Sequence, residues 1–310
     1  MPITLRGCLL LLWAAAAVWG GVPENATSAT VATDSARRAA DFSPSATYEY
    51  RAGPPQPVQL HVFYPEGWSA RDRRPVLLFF FGGSWLRGAP QSCIQWAHFA
   101  TQLGLVGILP DYRTRERFGT TPLDTVADAR AALRWVQEHA GELGADAGRI
   151  VAAGSSAGGH LALWTALRRT PPGADPREAP LAPPAALLLL CPSPDTTDGH
   201  RVERFGAQAE AVSAYHQMET GMPPTLMFHG DADRTVPYRI AIAFQVRMTA
   251  MGNACDLVTV PGGKHSFLAD LPEWRERVYA RARTFFAAHG LTVAAEKAGS
   301  EPPPARPAAR

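Results

Sequence analysis

The sequence has little cysteine and almost no net charge. Only four cysteines occur in 310 residues, and none sits in the C-x-x-C spacing of a structural metal site. Beyond Cys8 there remain Cys93, Cys191 and Cys255, an odd number that cannot pair fully within one chain. Buried thiols are the plain expectation, with a Cys191–Cys255 bridge as the alternative in an oxidising compartment. Thirty basic residues against 28 acidic ones leave a formal charge of +2, and the basic residues form no long run. That excludes the electrostatic footprint of a nucleic-acid binder. No P-loop, zincin or dinucleotide fingerprint is present, so neither a metal nor an organic cofactor is expected.

A long apolar run is also missing. A spanning helix needs about 20 apolar residues, and the N-terminal run from Cys8 to Trp19 is shorter. It follows one positive charge, Arg6, and ends at Gly20 and Gly21. This is the layout of a signal peptide over residues 1–20, which predicts export, either periplasmic or secreted, with no stable membrane span after cleavage. Cys8 lies at the start of the run and not after it, unlike a lipoprotein attachment site.

What is present is a chain of 46% hydrophobic residues, enough to bury a sizeable core. Residues 21–45 lack apolar periodicity and read as a flexible leader; residues 291–310 read as a disordered tail. The folded domain is then 46–290. Within it, Val58–Tyr64 alternates with a period of two, and Val76–Phe81 is a continuous apolar run of the kind buried on both faces. Leu105–Leu109, Ile150–Ala153, Leu187–Cys191, Thr225–Phe228 and Leu257–Val260 share that character. Helical patterns alternate with them at Ile94–Leu103, Leu123–His139, Ala157–Leu167, Ile240–Met251 and Trp274–Ala287. The alternation predicts an α/β fold, doubly wound, with a mainly parallel sheet covered by helices on both faces. Chemistry is expected at the carboxyl ends of the strands.

It is found there. Gly154-Ser155-Ser156-Ala157-Gly158 joins a strand to a helix and fits the G-x-S-x-G nucleophile elbow. The following helix directs its N-terminal N–H groups at the serine. A serine hydroxyl needs a base, and the base needs an orienting group. The loop His229–Pro237 follows one later strand and the loop Pro261–Phe267 follows the next. An acid and a histidine thus come after the serine in chain order. His265, in a glycine-rich loop, is the candidate base. His160 lies on the elbow helix and suits packing; His229 precedes the acid. Asp231 and Asp233 alternate in one loop, Asp195 follows the preceding strand, and turn geometry does not choose among them.

His229-Gly230-x-x-Asp233-x-x-Val236-Pro237 resembles the H-G-x-x-D-x-x-V-P signature of α/β-hydrolase esterases, and Pro110-Asp111-Tyr112-Arg113 resembles their D-Y-R segment. The resemblance covers about Val58 to Ala287. It is nearest to the lid-poor esterases grouped with acetyl-xylan and feruloyl esterases and with hormone-sensitive-lipase-like enzymes. It implies that Asp233 is the acid. It also implies that Phe81-Gly82-Gly83-Ser84-Trp85 stands where the family has H-G-G-G-W. The N–H groups of Gly83, Ser84 and Ala157 would then form the oxyanion hole, with Phe81 bracing the loop by packing where a histidine would use hydrogen bonds. The implied activity is carboxylic-ester cleavage by Ser156, Asp233 and His265 through an acyl-enzyme. Short-acyl or carbohydrate esters are the expected substrates, small or polysaccharide-linked. Only a small lid, or none, fits between Pro192 and Pro223, where Phe205, Tyr215, His216 and Met218 are available to line a pocket. Two other readings remain: a peptidase of prolyl-oligopeptidase type, for whose propeller the chain leaves no room, and a non-catalytic binding protein on the same fold.

Overall fold

A computed structural model describes residues 41–53, 55–173, 180–199 and 201–293. The signal peptide, most of the leader and most of the tail anticipated from sequence lie outside these residues. The described chain forms strands β1 (Ala46–Arg51), β2 (Val58–Phe63), β3 (Arg74–Phe80), β4 (Val106–Pro110), β5 (Ala145–Ser155), β6 (Ala186–Leu190), β7 (Thr225–Gly230) and β8 (Cys255–Val260). The helices are α1 (Ile94–Gln102), α2 (Arg115–Phe118), α3 (Pro122–Glu138), α4 (Ala157–Ala166), α5 (Arg201–Phe205), α6 (Ala214–Gln217), α7 (Tyr238–Ala250), α8 (Phe267–Asp270) and α9 (Pro272–Ala288). None of the described helices is long and apolar enough to cross a membrane.

The eight strands make one sheet in the order β1-β2-β4-β3-β5-β6-β7-β8. β1–β2 and β2–β4 pair antiparallel, and every pairing from β4–β3 to β7–β8 is parallel. The central strands β4 and β6, and β3 beyond Arg74, are apolar throughout because helices cover both their faces. β2 keeps the alternation expected of it, with Val58, Leu60 and Val62 fully buried. β1 is a strand the apolar runs did not announce; its residues Tyr48 and Tyr50 are half-buried and alternate with polar neighbours. α4 is buried on every side, as the run A-G-G-H-L-A-L-W-T-A requires of a helix with no polar face.

The packed chain runs past both boundaries drawn from sequence. Phe42 lies edge-on to Phe63 at 5.6 Å and to His61 at 5.0 Å, so the last residues assigned to the leader are docked. At the other end Leu291 is buried, and Arg149 Nη2 donates to Thr292 O at 2.6 Å.

Loop, sheet edge and helix are tied together at Asp128 on α3. Its fully buried carboxylate accepts from Arg51 Nη1 (3.1 Å), from the N–H of Arg113 (2.9 Å), and from Arg113 Nε and Nη2 (2.9 and 2.8 Å). Removing one side of a buried pair leaves uncompensated charge. Asp128→Ala is therefore expected to cost on the order of 3–5 kcal/mol, read as a lowered urea midpoint. A change below about 1 kcal/mol, the worth of an exposed pair, would contradict the tie.

Candidate active site

The carboxyl edge of the sheet gathers three loops around one cavity. At the end of β5, Ser156 adopts φ 55°, ψ −119°, a region that costs a non-glycine residue about 1–3 kcal/mol. Hydrogen bonds on both sides hold it there. Its N–H donates to Leu190 O (2.9 Å), and its carbonyl accepts from the N–H groups of His160 and Ser193 (3.2 Å each). The turn closes only because Gly154 and Gly158 lack side chains. A Cβ on Gly154 would lie 2.3 Å from Gly158 O, and one on Gly158 would lie 2.1 Å from Phe80 O.

The acid and histidine loops are stitched to each other. Ala232 N donates to Gly263 O (3.0 Å), Asp231 N to Val260 O (3.2 Å), and Gly262 N to Asp231 Oδ1 (2.7 Å). Asp231 thus joins the two loops, and Asp233 meets the histidine. His265 Nδ1 lies 2.7 Å from Asp233 Oδ2, while Asp233 Oδ1 accepts from the N–H groups of Thr235 (2.8 Å) and Val236 (2.9 Å). His229 Nε2 bonds to Val236 O at 2.8 Å and comes within 3.3 Å of Asp233 Oδ2. Burial alone would raise the Asp233 carboxyl. The hydrogen bonds from His229 and His265, the charge of a protonated His265 and the Val236 amide outweigh it and hold the group far below the usual carboxylate range. Asp195 is occupied elsewhere, accepting from Thr197 and from Ser213 Oγ.

Ser156, His265, Gly82, Gly83 and Ser84 line one cavity of about 880 Å³. Gly83, Ser84 and Trp85 take φ of 134°, 61° and 62° in succession. A Cβ on Gly83 would sit 2.0 Å from Arg87 O, so that position admits only glycine. Ser84 accepts the left-handed cost that a glycine would avoid. The carbonyls of this loop turn toward the protein: Gly83 O accepts from the N–H groups of Leu86 and Arg87 (3.1 Å each), and Ser84 O accepts from Arg204 Nη1 (2.8 Å). No protein acceptor among the described residues takes the N–H of Gly83 or Ser84. Ala157, first residue of α4, has its N–H outside the helical ladder.

The brace for this loop comes from Tyr112 and His160. Phe81 stacks on Tyr112 with centroids 3.9 Å apart and an interplanar angle of 10°, and Tyr112 Oη donates to Phe81 O at 2.8 Å. The tyrosine thus braces this loop both by stacking and by a hydrogen bond. His160, fully buried, accepts from Trp85 Nε1 (3.2 Å) through Nδ1 and donates from Nε2 to Val212 O (2.8 Å). Its role is packing, as its position on α4 predicted, but it also ties the Gly82–Trp85 loop to the segment between β6 and β7.

Two expectations need correction. Phe205, Tyr215, His216 and Met218 do not line the cavity; Phe205 instead packs edge-on to Trp85 at 4.9 Å, and Tyr215 lies under Arg247. The cavity wall is built by α1 and the α8 loop, including Cys93, Trp96, His98 and Phe267. Trp96 and His98 read as ordinary helix in sequence, and nothing there marked them as a wall; Phe267 closes the loop read around His265. The Cys191–Cys255 bridge is not formed; Cys191 and Cys255 are both thiols. Cys191 follows β6 at its carboxyl end and Cys255 opens β8 at its amino end, with β7 between them. Cys191, His229 and Asp233 place their potential ligand atoms within 4.8 Å of one another, but these groups are engaged in the acid loop. Burial pushes the Cys191 thiol far up, which disfavours the thiolate that a metal would need.

The sheet order, the elbow on β5 and the acid and histidine after β7 and β8 define the α/β-hydrolase class. A family model described as alpha/beta hydrolase fold matches residues 77–217, and one described as the prolyl oligopeptidase family matches residues 194–290. An esterase from Thermogutta terrifontis, solved with propionate bound, is 33% identical and superposes with a TM-score of 0.73 over 81% of this chain and 96% of that one. The same enzyme has been solved with butyrate bound and phosphorylated by paraoxon. Esterase LipI of Mycobacterium tuberculosis is 35% identical over 128 residues, 40% of this chain and 38% of the relative. Carboxylesterase NlhH of that organism is 36% identical over 107 residues, 34% of this chain and 32% of the relative. The chain therefore matches well under half the length of these two curated relatives. It belongs to the α/β-hydrolase-fold esterases.

Two measurements probe the brace. Tyr112→Phe leaves the buried Phe81 carbonyl without its donor, at about 1–3 kcal/mol, and is expected to lower kcat with little change in KM; an unchanged kcat would show that the loop stands without it. Burial lowers the His160 pKa to about 4, against about 6.5 when unfolded. Between those values the unfolded chain takes up a proton that the folded chain refuses. Stability is full above about pH 6.5 and falls as pH drops toward 4, by on the order of 3 kcal/mol. Urea midpoints at pH 7 and 4.5 should differ less in His160→Gln than in the native protein, and an equal loss in both would assign the pH dependence to other groups.

Proposed function

We propose that the protein hydrolyses carboxylic esters at Ser156 through an acyl-enzyme. Ser156 Oγ attacks the ester carbonyl while His265 Nε2 takes its proton, and Asp233, ionised and bonded to Nδ1, fixes the tautomer. The N–H groups of Gly83, Ser84 and Ala157 receive the oxyanion. His265 then protonates the departing alcohol, and water releases the acid by the same steps in reverse order. The single observation that carries this reading is the 2.7 Å His265–Asp233 bond at the rim of a cavity that also contains Ser156 and the oxyanion loop.

Short acyl groups are the proposed substrates, on simple or carbohydrate alcohols. The support is a cavity wall of mixed polar and apolar side chains with only two short α-helices, α5 and α6, and one 3-10 turn, Gly206–Gln208, described between β6 and β7. The related Thermogutta enzyme binds propionate and butyrate. The match of residues 194–290 to the prolyl oligopeptidase family favours a peptidase as second reading. It spans the acid and histidine loops, whose order the two enzyme classes share. The N-terminal run 1–20 is proposed to direct export, which N-terminal sequencing of the exported protein would test.

A fluorophosphonate probe is expected to label the native protein and not Ser156→Ala. Ser156→Ala should lose about 10⁵–10⁶ in kcat and Asp233→Asn about 10⁴. With nitrophenyl esters, kcat/KM should peak at short acyl chains. Labelling that survives Ser156→Ala would overturn the serine assignment. A peak at long chains would overturn the short-acyl reading, and faster cleavage of peptide amides would favour the peptidase.

A further inference from the structure

The charges that line the cavity are unequal. Arg87 and Arg275 both face it, and the one carboxylate among its described lining residues is Asp41. Neither arginine has a carboxylate within ion-pair distance among the described residues. Arg275 makes one long hydrogen bond, 3.4 Å to Leu268 O. Local stability does not account for where these cations sit. Arg275 lies in the first turn of α9, the end of a helix that disfavours positive charge. Arg87 is held beside the oxyanion loop by its own N–H on Gly83 O. It also adds to a cluster of like charge: the Arg204 guanidinium is pushed down by its burial and then by Arg201 and Arg87. A cavity with unneutralised guanidinium groups attracts and orients an anion.

We propose that the preferred substrates are esters carrying a carboxylate, held by Arg87 and Arg275 while the ester carbonyl faces Ser156. This rests on the esterase reading above. It names a substrate class within it, acid esters in preference to neutral ones. The carboxylate can belong to the acyl part, as in a hemi-ester of a dicarboxylic acid, or to the alcohol part, as in an acylated hydroxy acid. In either case water adds across the acyl C–O bond, releasing one acid and one alcohol, and the distal carboxylate is unchanged.

Matched pairs of esters test it. On the acyl side the pair is 4-nitrophenyl hemiglutarate and the neutral 4-nitrophenyl 5-methylhexanoate. On the alcohol side it is 4-acetoxybenzoate and 4-acetoxybenzamide. The quantity read is the ratio of kcat/KM, anionic over neutral, after subtraction of spontaneous hydrolysis. At low salt the ratio is expected to exceed that of Arg87→Gln or Arg275→Gln by about fivefold, the scale of one exposed charge pair. It should fall as ionic strength rises and recover in Arg87→Lys or Arg275→Lys. The pair that responds identifies which part of the ester carries the anion. A ratio unmoved by both Gln substitutions and by salt in both pairs overturns the proposal while leaving the esterase standing. Failure to cleave any of the four esters, together with failure of the fluorophosphonate to label Ser156, overturns both.

Discussion

The constraint on which the rest of the site depends is backbone against backbone at the turn from β5 into α4. Phe80 pairs with Gly154 across the parallel β3–β5 ladder, and the first turn of α4 is pressed against the carbonyls of Phe80 and Phe81 at Gly158. This contact fixes three things together: the strained conformation of Ser156, the start of α4, and the point where β3 passes into the Gly82–Trp85 loop. A side chain at either elbow glycine would push α4 away from β5 or from the end of β3 and move all three. The strain at Ser156 persists because hydrogen bonds on both sides of it and the sheet around it leave the residue no relaxed alternative.

The second support is a division of labour between two aspartates two residues apart. Asp231 spends its carboxylate on the Gly262 amide and so sets the distance between the β7 and β8 loops. Asp233 then meets His265 with its geometry already fixed by the Thr235 and Val236 amides. The arrangement keeps the acid ionised and the imidazole oriented. His229, buried against the same carboxylate, adds a further donor.

Much of this was legible in the sequence because it follows from local pattern. Continuous apolar runs identify strands buried on both faces, and β3, β4 and β6 lie within a residue or two of those runs. Ser156 and His265 were marked by their positions at strand ends. Asp233 was separated from Asp231 only by resemblance, because both occupy plausible turn positions and what distinguishes them is a long-range amide, Gly262. β1 carried period-two alternation, but its half-buried tyrosines did not form an apolar run. The part of the cavity wall that α1 supplies was not legible. Whether residues of α1 or of the β6–β7 segment face Ser156 depends on how loops cross the sheet edge, which no residue pattern encodes. Tyr112 is an intermediate case: its triplet was visible, while its service to Phe81 O required the stacking geometry.

The carbonyl of Val212 accepts from two buried donors, His160 Nε2 and Trp164 Nε1, and His160 in turn receives Trp85 from the oxyanion loop. Arg204, from the same stretch of chain, holds Ser84 O. The segment between β6 and β7 is therefore fastened to the Gly82–Trp85 loop at two points and is not a free overhang. Insertions that would grow a lid there, by evolution or by grafting, are tolerated only where they leave Arg204 and Val212 in register. A lengthened loop between those anchors would alter turnover before it altered substrate choice.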